Sequence, residues 1–64
     1  MERRDRVLEV LVKSPLTVKE VSDSLKIPVS TVYRMLKRLK EEGLVVKDGQ
    51  MYHLSPRGRE EVRA

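Results

Sequence analysis

Pro15, Pro28 and Gly43 set the lengths of the helices this chain can form. Proline is tolerated at a helix start but not in its middle. Glycine readily takes the left-handed conformation that ends a helix. Residues 3–13 therefore predict a first helix, ended by Pro15, and a further helix runs from about Pro28 or Val29 to about Glu42, ended by Gly43. Between them, Thr17 is a natural N-cap and Glu20 lies three residues on, the spacing of a capping box. Leu16 and Val21 are placed for a hydrophobic staple around that cap. A short second helix over about 18–25 follows, with Val18, Val21 and Leu25 inward. Ser22, Asp23 and Ser24 are poor helix formers and agree with an early end.

The apolar stripes say how these helices pack. On the first helix Val7, Leu8 and Leu11 form a stripe, and Val10 and Val12 flank it on either side. The apolar arc is then roughly 200° wide, about twice what one-sided packing needs. Such a helix is expected to be covered from two directions or to meet a second copy. On the third helix the inward stripe is Val32, Leu36 and Leu39, with Met35 at its edge.

After Gly43 the period changes from 3.6 to 2. Leu44–Val46 and Met51–Leu54 predict two strands around Lys47, Asp48 and Gly49. A two-residue Asp-Gly turn would set Val45 against Tyr52 and Val46 against Met51. The expected arrangement is instead a three-residue loop with Gly49 left-handed, which pairs Leu44 with Tyr52. Leu44, Val46, Tyr52 and Leu54 then share the inward face, while Val45 and Met51 face out. A one-residue slip would turn that whole set to solvent. Ser55-Pro56 is a cap followed by proline at the first helical position, so a short last helix runs to about Arg63, with Val62 its one large apolar residue.

The 64 residues make one domain at most, 1–64, α+β and mostly helical. A domain this small buries only ~60% of its unfolded surface. It has no Cys for disulfides or thiolate sites, and no Phe or Trp for its core. His53 alone cannot build a metal centre and is expected outward on its strand. Asn is absent and Gln occurs once beside abundant Lys, Arg and Glu, a bias that suits a heat-stable protein. No apolar run approaches the ~20 residues of a membrane span, and no signal-peptide segment follows the charged N-terminus, so a cytosolic protein is expected. Arg3, Arg4 and Arg6 are expected to make i, i+4 pairs or stay solvated. There is no nucleophile–base set, phosphate-binding glycine loop or metal cluster. Neither enzymatic activity, nor a cofactor, nor a small-molecule effector is read from the chain.

Net charge is +4, a weak argument alone for a polyanionic partner. Its placement says more. From Ser24 to Lys40 the chain carries Lys26, Arg34, Lys37, Arg38 and Lys40 and no acid, and Glu41 and Glu42 come only at the exit. Opposite the Val32–Leu36–Leu39 stripe lie Ser30, Arg34 and Lys37, flanked by Thr31, Tyr33 and Arg38. Serine and threonine can bond bases or phosphates, and arginine can bond guanine through two hydrogen bonds. Acids on that face would be repelled by phosphate.

Helix, helix, tight turn, helix, hairpin is also the order of a winged helix-turn-helix: three helices, a two-stranded hairpin wing and a short C-terminal helix. LKIPVSTVYRMLKRLKEEGLV (residues 25–45) resembles the signature of winged-helix transcription regulators, with MarR-like and PadR-like repressors among them. Tyr52-x-Leu54-Ser55-Pro56-x-Gly58 resembles the second wing strand and following helix of the same group. The resemblance covers roughly residues 7–58. It implies a double-stranded DNA partner, with Ser30, Thr31, Tyr33, Arg34, Lys37 and Arg38 on the DNA-contacting side of the recognition helix. Relatives that sense metals use Cys or His clusters, which this chain lacks. Many relatives have a longer, arginine-tipped wing, whereas this one offers only Lys47 as a DNA contact, with Arg57 and Arg59 beyond the hairpin. A homodimer is the further expectation, from the wide apolar arc, the small core and an outward Val10, Val45 and Met51. Two functions stay open: a sequence-specific DNA-binding regulator, or a winged-helix module that binds protein in a larger assembly. The acid-free stretch favours DNA.

Overall fold

The structure is a computed structural model and describes residues 3–63. Its elements are α1 (Arg3–Val10), β1 (Leu16–Thr17), α2 (Val18–Leu25), α3 (Val29–Glu41), β2 (Val45–Asp48), β3 (Met51–Leu54) and α4 (Pro56–Arg63). The side chain of Arg3 lies outside the described residues, as do residues 1, 2 and 64.

The capping box at the start of α2 is formed in both directions. Thr17 Oγ1 accepts from the Glu20 amide at 3.2 Å, and Glu20 Oε1 accepts from the Thr17 amide at 2.8 Å. At the other end Lys26 takes a left-handed conformation, φ 58°, the one non-glycine residue with positive φ among those described. A side chain there costs roughly 1–2 kcal/mol. Hydrogen bonds offset it: the amides of Lys26 and Ile27 both donate to the Ser22 carbonyl, and Ser22 Oγ donates to the Ile27 carbonyl. Ser22 is thus the clasp of the tight turn into α3.

α1 ends earlier than the pattern predicts. The amides of Leu11 and Val12 reach back only three residues, to the carbonyls of Leu8 and Glu9, both at 3.2 Å. That tighter turn releases the chain before Pro15. Val12 therefore leaves the helix and is 43% exposed, while Val10 packs against the core. The broad apolar arc is not the face of a single helix.

α3 ends as expected at Gly43, φ 80°. The Gly43 amide donates to the Lys40 carbonyl and the Leu44 amide to the Leu39 carbonyl, both at 3.0 Å. This is a Schellman motif, and its characteristic apolar pair, Leu39 and Leu44, is buried.

The hairpin register differs from both sequence-based arrangements. Val45 pairs with Leu54, Val46 with His53, Lys47 with Tyr52 and Asp48 with Met51. The connection is the two residues Gly49 and Gln50, with positive φ (64°) at Gly49 alone, as a type II′ turn requires. Val45, Tyr52 and Leu54 are buried, and Val46 is 41% exposed. Val45 therefore faces in and Val46 faces out, the reverse of expectation. The cause is Leu44. It is buried as part of the helix-ending motif, so strand alternation starts one residue later, at Val45.

A third strand, β1, adds to the two-stranded hairpin that the sequence predicts. Leu16 pairs with Tyr52 and Thr17 with Met51, giving an antiparallel sheet in the order β1-β3-β2. Two residues are too few to show a period of 2. The core is Val7, Leu8 and Leu11 of the α1 region, Val21, the α3 stripe, Leu44 and the inward side of the hairpin.

α4 closes against the α3–β2 turn through Ser55 and Gly58. Ser55 Oγ donates to the Gly43 carbonyl at 2.6 Å and accepts from the Gly58 amide at 2.9 Å. The Ser55 amide donates to the Leu44 carbonyl at 3.0 Å. A Cβ on Gly58 would stand 2.0 Å from the Leu44 carbonyl oxygen. Gly58 is required for close approach, not for its φ. Gly58→Ala should cost about 2–3 kcal/mol through overpacking against backbone. In a chain of this size each kcal/mol lowers the melting temperature by roughly 4–8 °C, so a thermal melt checks it.

Candidate nucleic-acid interface

The α3 stripe holds Val32, Leu36 and Leu39 against the core, and this fixes what the rest of the helix presents. Ser30, Tyr33, Arg34, Lys37 and Arg38 are exposed, and Thr31 is half-buried. By helical spacing Ser30 and Arg34 point most directly outward, with Lys37 beside them and Glu41 in line at the helix exit. Val29 and Tyr33 stand on the flank toward the wing, and Thr31 and Arg38 on the opposite flank.

Between α3 and the wing runs an open groove of about 840 Å³. Val29, Ser30, Tyr33 and Arg34 form one side, Lys47, Gln50 and Tyr52 the other, with Val18 between. The Lys47 ammonium lies 5.9 Å from the centre of the Tyr52 ring, within cation–π range. Of the seven residues singled out from the sequence, Ser30, Tyr33, Arg34 and Lys47 meet in this groove, and Thr31, Lys37 and Arg38 lie outside it. Sequence reasoning missed Val29 and Gln50. Gln50 reaches the groove only because the turn has two residues, so the misplaced register hid it.

The charges are sorted. Among the described residues the ion pairs are Arg4 with Asp5, Glu42 and Glu61, and Lys19 with Asp23. None involves Arg34, Lys37, Arg38 or Lys47. Arg4 Nη2 donates to Glu61 at 3.2 Å and to Glu42 at 3.3 Å, joining α1 to α4 and to the end of α3. The bond to Glu61 is the main cause of an arginine pKa raised above its ordinary value. Arg4 is thus exposed but bound to distant acids, in place of the i, i+4 pairing expected of it. Glu42 sits at the helix exit in the grip of Arg4, turned to a structural use.

This arrangement is a winged helix-turn-helix domain of the kind found in MarR-like and PadR-like transcription regulators. A family model described as the HVO_A0261 N-terminal domain matches residues 1–63, and the chain belongs to that family. No match was found among curated proteins. Of the solved structures, HlyU from Vibrio cholerae is similar at 31% identity and TM-score 0.81, over 98% of this chain and 72% of that one. PadR from Bacillus subtilis is similar at 25% identity and TM-score 0.86, over 94% of this chain and 38% of that one. It is a transcriptional regulator, also solved in complex with p-coumaric acid. A MarR/EmrR family transcriptional regulator from Acinetobacter sp. ADP1 shares the fold at 24% identity and TM-score 0.85, over 94% of this chain and 45% of that one. The chain therefore spans less than half the length of the PadR and MarR/EmrR-family structures.

Proposed function

We propose that residues 1–64 form one DNA-binding domain of a transcription regulator and read duplex DNA with α3 in the major groove. The observation that carries this reading is the exposed face of α3, which carries no acid from Val29 to Lys40, with Glu41 only at its exit, and whose Arg34, Lys37 and Arg38 are in no ion pair among the described residues. Cations left without partners on one face suit a partner that supplies the anions, and the phosphates of DNA do so at high density. Arg34, the outermost cation of α3 and about one turn into the helix, reaches base edges and bonds guanine. Ser30 and Thr31 serve bases or the adjoining backbone at the entering end. Tyr33 offers its hydroxyl to phosphate, and Lys37 and Arg38 meet the backbone where the helix leaves the groove. Lys47 reaches phosphate from the wing. Binding of this kind is regulatory rather than enzymatic.

Arg34→Ala should weaken the preferred site by ~1–3 kcal/mol and relax specificity at one base position per half-site. Lys37→Ala and Arg38→Ala should weaken all sequences alike, and none of the three should unfold the protein. Binding selection on a randomised duplex library checks this. An unchanged preferred sequence for Arg34→Ala removes its base-reading role. Wild-type binding to random DNA by all three variants returns the basic face to solvent and favours a protein partner.

We also propose a homodimer. Two α3 helices ~34 Å apart would meet successive turns of the major groove and read a palindrome. The inward Val45, the core-packed Val10 and the early end of α1 withdraw most of the sequence argument for pairing, and of the three outward residues expected only Met51 is exposed. What supports it now is exposed Val12 beside half-buried Val62, in a cleft between the end of α1 and α4. Sedimentation at micromolar concentration should find twice the 7.5 kDa chain mass, and a 7.5 kDa species alone, with and without DNA, contradicts it.

A further inference from the structure

Val29 is the most exposed large apolar side chain among the described residues, at 50%, and Tyr33 follows at 49%. They stand four residues apart, so they are neighbours on one flank of α3. Both line the groove toward the wing, beside Ser30 and Arg34 and across from Lys47 and Gln50. Single exposed apolar residues are ordinary on any surface. Two adjacent ones, on the wall of a groove with cations on both sides, are a chemical feature of that groove. Phosphate gains nothing from valine. The base edges of a major groove carry one apolar group, the thymine 5-methyl.

We infer that Val29, with the Tyr33 ring beside it, reads thymine by packing on its 5-methyl group, which makes Val29 a specificity residue of the first turn of α3. The inference rests on α3 lying in the major groove. Arg34 and Ser30 supply polar readout of the same edge. Val29 supplies what they cannot, the distinction between thymine and the other bases by a methyl contact.

Replacing thymine by deoxyuridine removes that methyl and keeps the O4 acceptor, so it isolates the contact. The duplex chosen by binding selection is used, with deoxyuridine placed at each thymine of a half-site in turn. At one thymine per half-site, wild-type affinity should fall about fourfold, the factor for one buried methyl at ~0.8 kcal/mol. Val29→Ala should bind the thymine and deoxyuridine duplexes equally at that position, with an unchanged dependence on salt. Its melt should match wild type, since the side chain is half exposed and alanine favours helix. If Val29→Ala stays as sensitive as wild type, or no thymine responds, the methyl contact is overturned while major-groove reading stands. If wild type selects no sequence at all, both readings fall together.

Discussion

The turn at Gly43 and Leu44 decides where everything after the third helix goes. Two Schellman hydrogen bonds close α3, and Leu44 is buried beneath them. Ser55, arriving from β3, binds both carbonyls of that turn, through its hydroxyl to Gly43 and its amide to Leu44. The same hydroxyl caps α4 at Gly58, whose missing side chain lets the helix backbone lie against the turn. α3, the hairpin and α4 thus share one joint of backbone and Ser55 hydroxyl hydrogen bonds, buried enough that leaving any of them unmade would be costly. Rigidity here fixes the angle between α3 and the wing, and hence the groove between them.

Arg4 reinforces the joint from outside. It reaches Glu42 beside the turn and Glu61 on α4. These pairs are exposed, and pairs of that kind are individually weak. Their greater effect is to occupy an acid at the end of α3, while Glu20 is occupied by the Thr17 cap and Asp23 lies within reach of Lys19. With these acids engaged elsewhere, the outward face of α3 keeps an uninterrupted positive character over its body. Several acids thus help hold the structure, while Arg34, Lys37 and Arg38 face outward.

Local signals made most of the fold legible in the sequence. The Thr17–Glu20 box, Pro28, Gly43 and Ser55-Pro56 each act within a few residues, and each marks an element end that the structure keeps. The α3 stripe placed Ser30, Arg34 and Lys37 outward correctly, because helical spacing leaves little choice once one face is buried. What the sequence hid depends on non-local geometry. Consecutive Leu44 and Val45 are both buried, for different reasons, and this defeated the alternation that sets register. The two-residue β1 and the Arg4 pairs depend on partners distant in the chain, and the early end of α1 is a change to tighter bonds that the apolar pattern does not show. Gln50 and Val29 entered the groove only once the true register and the facing flank of α3 were known.

The proposed role of the cations of α3 and the wing is to meet the phosphates of a polyanion. It is tested most directly by measuring binding to random-sequence duplex DNA over a range of salt. If Lys37, Arg38 and Lys47 each meet one phosphate, log K should fall linearly with log salt with a slope of about −3 per copy bound, near −0.9 for each contact. Absent binding at low salt, or an affinity indifferent to salt, would contradict the account.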